Sequence, residues 1–473
     1  MVTALLAILL DVFFVGFCDK AGSREVALSP TALSMREKHG VEIDSLDYAV
    51  SPIYVDSLRH AGTHVYHTSR WMNGATIGVK DTSVLQRIRQ WPFVRLVEKT
   101  RYDESWESNS VCRRVIDKRA MTYSDYGEAQ RQLSTYNLLP LHDAGYHGQG
   151  IRIAVIDGGF EKANSLGALD SVRQQLLGWY DLTDDTYDFF GSEGSHGTMC
   201  LSTIAAITSD FRGAATKAMY YMIRSEENDT ESPKEMDNLV AAFELADSLG
   251  VHICSVSLGY YQFDDYEWDL TYADMDGKTT RVSRAATIAA RKGMLLCISA
   301  GNEGDTDWKH LTAPSDADSI LSVGAVDTNG AIAMFSSYGP SADGRVKPDV
   351  CAVGRNAAVI RPSSNEVVFS NGTSFACPLV AGMAACLWSA LPDCSNMDIR
   401  ERIIRSADRY ASPDEQYGYG IPNAWAAYMG TTAVEQVREQ PEVSTQKVLY
   451  GGHWYIVRGG EWYDMMGCKV VHP

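Results

Sequence analysis

Apolar and polar positions fall in two textures along this chain. Between residues 11 and 100, short alternating runs (THVYHTSRWMNGATIGV, FVRLVEK) are interleaved with helical ones (SPTALSMREKHG, SPIYVDSLRHAG, TSVLQRIRQW), the pattern of a small α+β unit. From 136 onward unbroken apolar runs take over: IRIAVID, AMYYMI, VHICSVSLG, MLLCISAG and SILSVGAV, separated by helical segments such as DNLVAAFELADSLG and SRAATIAARKG. Strands this apolar must be shielded on both faces, so the pattern predicts an α/β fold, a mostly parallel sheet with helices on either side. In such sheets working residues gather at the carboxyl ends of strands. Asp157, Gly259 and Asn302 each stand at such an end.

The stretch 101–120 is polar and basic and ends in CRRVIDKR, which reads as a linker over 101–135. After 430, TTAVEQVREQPEVSTQ is a polar spacer. The last segment alternates around two Gly-Gly pairs, as a small set of hairpins would. The predicted units are therefore 1–10, 11–100, 101–135, 136–430 and 431–473. The first is read as the remnant of a signal segment, because the apolar run is interrupted by Asp11 and lacks a preceding Lys or Arg. DVFFVGFCDKAG is then the first strand of the second unit. No stretch is apolar for long enough to predict a transmembrane span.

Charge is unevenly spread. The 473 residues carry 42 Lys and Arg against 60 Asp and Glu, a net charge of -18. Residues 1–145 hold 17 of each sign, leaving 25 basic and 43 acidic residues in the remainder. Such a surface repels phosphate backbones, so nucleic acid is not an expected partner. Ten cysteines in a chain this long are too few for a disulfide scaffold, and they form no CxxC pair or His-Cys cluster of the kind zinc needs, so a zinc protein is not expected. Cys254, Cys297 and Cys351 lie inside apolar runs and are expected to be buried thiols.

Four short segments carry candidate chemistry: AVIDGGF with Asp157, SHGTMCLSTIA with His196, SAGNEG with Asn302 and NGTSFACPLVAG with Ser374. A carboxylate that orients an imidazole, an imidazole that takes a serine proton and an amide that steadies an oxyanion make a nucleophilic acyl-transfer device. Taken singly, Asp157 reads equally as a helix cap, His196 as a loop histidine and Ser374 as the start of an Ala-rich helix.

Together and in this order they resemble the subtilisin-like serine proteases, the S8 or subtilase family. The likeness covers roughly 136–428 and includes LHDAGYHGQGIRIAVID before the Asp, HGT at the His, SLG at 257–259 and GTS-x-A-x-P around the serine. It implies a serine endopeptidase with Asp157, His196 and Ser374 as the triad and Asn302 in the oxyanion hole. It also implies a polypeptide substrate lying as an added strand along Ser255, Ser257, Leu258 and Gly259, with Ser299, Ala300 and Gly301 as the opposite wall of the first specificity pocket. Residues 11–100 take the place of an inhibitory prosegment, so the chain's own N-terminal unit is an expected partner. The implied location is secreted or attached to the cell envelope, and no cofactor is required. Ser374 at the N-terminus of a helix would enjoy the positive end of its dipole. Gly372 lets the backbone approach closely, Gly197 leaves room beside the imidazole, and Pro378 is expected in the helix's first turn, where its missing N–H is harmless.

Departures from the family pattern are Phe375, Cys377 and Leu379 beside the nucleophile. Glu303, after the oxyanion asparagine, reads either as a pocket-biasing charge or as a solvated carboxylate. The acidic insertion YYQFDDYEWDLTYADMDGKTT places Asp274 and Asp276 one residue apart; structural calcium is an alternative reading of it, though the later glutamate of an EF-hand loop is missing. The competing function is a catalytically silent peptide-binding protein on the same fold. An α/β-hydrolase esterase would need GxSxG and the order Ser, acid, His. A dinucleotide enzyme would need GxGxxG after the first strand, where only Gly158 and Gly159 occur.

Overall fold

A computed structural model describes residues 10–101, 126–183, 187–192, 194–227 and 230–431, together with four short strands between 445 and 470. The expectations for 1–9, for 102–125 of the linker and for the spacer 432–444 fall outside the described residues.

The N-terminal unit comprises β1 (Asp11–Phe17), α1 (Pro30–His39), α2 (Pro52–His60), β2 (His64–Ser69), β3 (Gly74–Val79), α3 (Val84–Ile88) and β4 (Val94–Arg101). Its antiparallel sheet runs β2-β3-β1-β4, so the segment DVFFVGF is an interior strand. Phe13, Val15 and Phe17 point by strand alternation into a small core with Leu58, Ile77 and Ile88. Ser29 caps α1 by accepting from Ala32 N, Pro30 fills its first position and Gly40 ends it at φ 67°.

Among the described residues, 126–135, expected from sequence to be linker, packs against the large unit. Ala129, Leu133 and Tyr136 recur at helical spacing and are buried in the main core, which makes α4 (Gln130–Thr135) part of the body. It is followed by α5 (Leu139–Asp143), β5 (Arg152–Asp157), α6 (Asp170–Gln175), β6 (Leu176–Asp181), α7 (Ser195–Ala205), β7 (Met219–Arg224), α8 (Pro233–Leu249), β8 (Ile253–Val256), α9 (Arg281–Arg291), β9 (Leu295–Ser299), β10 (Leu321–Val326) and β11 (Val350–Val353). A hairpin of β12 (Ala357–Arg361) and β13 (Glu366–Ser370) leads into α10 (Thr373–Ala390), then α11 (Asn396–Arg405) and α12 (Ala424–Met429). The last strands, β14 (Thr445–Tyr450), β15 (His453–Arg458), β16 (Glu461–Asp464) and β17 (Lys469–Val470), pair in sequence as an antiparallel sheet.

Seven parallel strands lie in the order β11-β10-β9-β8-β5-β7-β6. Alternate side chains of one strand serve two cores. Ile153 and Val155 of β5 pack with Leu201, Ile204 and Ala381 from α7 and α10. Ala154 and Ile156 pack with Leu239, Phe243 and Ala286 from α8 and α9. Both faces are therefore dry, which is why these strands read as unbroken apolar runs. Cys254, Cys297 and Cys351 are buried free thiols within them. Helix α10 has the length and hydropathy of a membrane span, but 89% of it is buried inside the protein as the central core helix.

The N-terminal unit sits on the outer faces of α8 and α9. The acidic side of α8 receives its cations: Arg36 Nη2 lies 2.7 Å from Asp247 and Arg70 Nη2 2.7 Å from the same carboxylate. Lys292, at the end of α9, donates to Asp47 at 2.8 Å, and Arg281 bridges Asp237 at 2.8 Å and Glu98 at 2.6 Å. Arg36, Asp47 and Asp247 are almost fully buried. Removing one member of such a set strands a charge in a dry interface, at a cost of about 3–5 kcal/mol.

Candidate active site

Asp157 is the last residue of β5, its side chain withdrawn from solvent at the sheet's carboxyl edge. Its Oδ1 accepts from Gly158 N at 2.8 Å and from His196 Nδ1 at 2.7 Å. His196 is the second residue of α7 and is partly exposed. Close approach of the helix to β5 requires Gly197: a Cβ there would lie 2.4 Å from Gly159 O and 2.8 Å from Asp157 Cβ. Gly197 thus makes room for the Asp157 carboxylate at the end of β5. Burial opposes a charged imidazolium, but the adjacent Asp157 carboxylate outweighs it and holds His196 well above its usual range.

Ser374 is the second residue of α10, with Gly372 before the helix at φ 153°. Asn302 follows the end of β9. Its Oδ1 accepts from Thr373 N at 2.8 Å and Thr373 Oγ1 at 3.0 Å. Both bonds engage the carbonyl end, so the amide NH2 is the group left to donate elsewhere.

Pro378 lies inside α10, in its second turn, and this corrects the expectation of a harmless first-turn proline. In a helix the N–H of residue 378 would bond the carbonyl of 374. Proline has none, so the orphaned carbonyl is that of Ser374 itself. Two side chains replace the missing donor: Ser257 Oγ at 2.9 Å and Cys200 Sγ at 3.3 Å. Cys200 also lies 3.8 and 3.9 Å from the two ring nitrogens of His196. One sulfur therefore touches both the histidine and the serine backbone. Burial raises its pKa above the ordinary thiol value despite the opposing His196, keeping the S–H that can donate. Cys200 escapes a reading of the sequence, although its position one turn after His196 on the same face is the available signal.

The walls are narrower than predicted. Ser255 lies within β8, paired to Val155 of β5 and Cys297 of β9, with its Oγ 3.9 Å from Cys377 Sγ. It cannot meet a peptide, because both its neighbours are strands of the same sheet. The open segment begins after Val256, with Ser257 buried, Leu258 half-buried and Gly259 exposed. Ser299 and Ala300 are likewise buried behind their wall. Ala300 spends its N–H on Val323 O and its carbonyl on Thr312 N, so Gly301 is where that wall reaches the surface. Phe375 places its ring 5.8 Å from that of His196, Cys377 donates to Val256 O and Cys297 O beneath the sheet, and Leu379 is core. Glu303 is bound by Tyr261 Oη at 3.0 Å and Thr306 Oγ1 at 3.3 Å, with Trp308 stacked on Tyr261.

Two groups of metal-ligating atoms gather among the described residues. The first is Asp157, His196 and Cys200, already joined by hydrogen bonds. The second is Glu226, Glu231 and Glu235. Burial, opposed by the Tyr260 hydroxyl 2.5 Å away, pushes Glu226 up to about 7. Burial with repulsion from Glu226 and Asp264 pushes Glu231 up to about 8. Glu235 spends both oxygens on Glu227 N and Ser232 N. Asp274 and Asp276 join neither group: the first accepts from Thr271 N, the second from Lys278 N and Thr279 N, so both serve as local caps.

The order of elements, the parallel sheet and these constellations match known proteins. The profile of the Subtilase family matches residues 148–420, and that of the Peptidase S8 propeptide domain, Bacteroidota, matches 12–114. The thermostable alkaline protease of Halalkalibacterium halodurans is 29% identical over 297 residues, 62% of this chain and 72% of that protein. Subtilisin BL of Lederbergia lenta is 28% identical over 60% of this chain and 93% of its own length, and subtilisin E of Bacillus subtilis 29% identical over 61% and 68%. A subtilisin-like α/β body preceded by a propeptide domain identifies this chain as a serine endopeptidase belonging to the subtilase family.

Proposed function

We propose that the protein hydrolyses peptide bonds of extended polypeptides, with Ser374 as nucleophile. His196 takes the Ser374 proton as the hydroxyl oxygen attacks the carbonyl carbon, then delivers it to the leaving amine. Asp157 fixes the imidazole with its proton on Nδ1 and stabilises the cation that forms. The Asn302 amide and the Ser374 N–H, at the positive end of α10, receive the oxyanion. Water then repeats the sequence on the acyl-enzyme and frees the serine. The substrate lies as a strand along Ser257, Leu258 and Gly259 with Gly301 opposite, held mainly by backbone hydrogen bonds. The reading is carried by the 2.7 Å Asp157–His196 bond, with the His196 ring 5.8 Å from that of Phe375 in the first turn of α10.

The chain is made as a zymogen, and its N-terminal unit inhibits the body until removed, in an extracytoplasmic location. The docking of that unit through buried ion pairs with α8 and the end of α9 supports the zymogen reading. The test compares the parent chain with Ser374→Ala after purification. The parent should lose its first hundred or so residues and digest casein, while the variant should remain full length and inert. Equal lengths in both, or casein digestion by the variant, would refute the proposal.

A further inference from the structure

A cleft of about 520 Å³ opens between α1 of the N-terminal unit and the amino edge of the body's sheet, at the end of β5 away from Asp157. Among the described residues that line it, four are basic and none is acidic: Lys38 and His39 from α1, Arg152 at the start of β5 and His252 just before β8. Arg152 uses Nε on Gly250 O at 2.6 Å, while its Nη2 meets only the Met35 sulfur, 3.9 Å away. The backbone N–H of Arg152 donates to His252 Nδ1 at 3.2 Å, which puts the ring's proton on Nε2, where nothing among the described residues accepts it. Lys38 Nζ, on the rim, bonds Pro392 O and lies 3.5 Å from Asp393, a carboxylate so exposed that water screens it. Positive charge thus gathers in a cleft whose walls offer no carboxylate. Burial, then repulsion from Arg152, His39 and Lys38, pushes His252 down to about 3; burial with Lys38 pushes His39 down against the pull of Asp393 and Asp398. The first turn of α1 adds the positive end of a ten-residue helix.

We propose that this cleft binds a small multivalent oxyanion of the phosphate class, clamped between the N-terminal unit and the body. A tetrahedral dianion suits donors that arrive from separate directions: a guanidinium fork, an ammonium and an imidazole N–H. Lys38 and His39 belong to one unit and Arg152 and His252 to the other, so the site exists only while the two are docked. A ligand of the docked state favours it by a factor of 1 + [L]/Kd, so phosphate at about ten times its Kd holds the N-terminal unit in place about elevenfold more firmly. The binding site needs only the docking itself; the consequence for maturation rests on the zymogen reading above.

Titration calorimetry with inorganic phosphate tests this on full-length Ser374→Ala, in buffers matched in ionic strength with chloride. One site is expected, with a Kd at least about tenfold lower than in Lys38→Gln or Arg152→Gln on the same background, the scale of one charge-assisted hydrogen bond. The Lys38 side chain is 47% exposed, so its variant carries the test should Arg152→Gln not fold. The processed parent, which lacks Lys38 and His39, should not bind. In the unprocessed parent phosphate should slow the loss of the N-terminal unit, and Lys38→Gln should abolish that delay. No heat of binding, binding unchanged by Lys38→Gln, or equal binding by the processed enzyme overturns the proposal. A parent that never loses its N-terminal unit overturns the zymogen reading alone, and the calorimetry of the full-length chains still decides the site.

Discussion

Replacing Ser257 by alanine removes the closer of the two donors to the Ser374 carbonyl, the one at 2.9 Å. The other, Cys200 Sγ at 3.3 Å, is a thiol and a weak donor. Leaving a buried carbonyl on so poor a partner costs about 1–2 kcal/mol. Pro378→Ala restores an N–H one turn below that carbonyl, so it should supply the bond Ser257 provided. The four chains of the cycle are best built on Ser374→Ala, which keeps the carbonyl and prevents self-digestion. Urea unfolding should give a penalty for Ser257→Ala of about 1–2 kcal/mol with Pro378 present, and less than half of that in the Pro378→Ala background, a coupling of about 1 kcal/mol. In the active enzyme, the same loss of support should lower kcat for Ser257→Ala, and Pro378→Ala should recover part of it. Penalties that add to within about 0.3 kcal/mol would show that the Ser257 hydroxyl does not replace the missing N–H.

Because Asp157 holds the His196 pKa high, the neutral imidazole needed as base appears only as pH rises through that value, so kcat/KM should climb on the alkaline side. Stability runs the opposite way: the Asp157–His196 interaction contributes fully below the unfolded histidine pKa of about 6.5 and is lost as pH rises through the folded value. Asp157→Asn should move the limb toward about 6.5 and reduce kcat by roughly 10⁴-fold; an unmoved limb in a pH–rate profile would remove Asp157 from this role. Asn302→Ala should lower kcat by about 10²–10³-fold with KM little changed, and a change confined to KM would assign the amide to substrate binding instead.

Much of this arrangement is legible in the sequence because its signals are local. The strands around Asp157 and Asn302 stand out as unbroken apolar runs, since both faces of the sheet are covered. Each of the four chemistry-bearing residues sits in a short motif of its own. What the sequence hides depends on distant pairing. The reach of the substrate strand is set by where β8 leaves its register with β5 and β9, which excludes Ser255. The position of Pro378 depends on α10 starting at Thr373. The segment 126–135 reads as linker because its residues are polar, and only its packing on the core reveals the spacing of Ala129, Leu133 and Tyr136.

The central claim is that Ser374 is the nucleophile of an assembled triad. Mass-spectrometric mapping of the mature enzyme after reaction with a fluorophosphonate tests it most directly. A single phosphonylated peptide, NGTSFACPLVAG or a fragment of it with the adduct on Ser374 and none after Asp157→Asn over the same short exposure, is the predicted result. An adduct on any other residue, or none on the folded and processed parent, would contradict it.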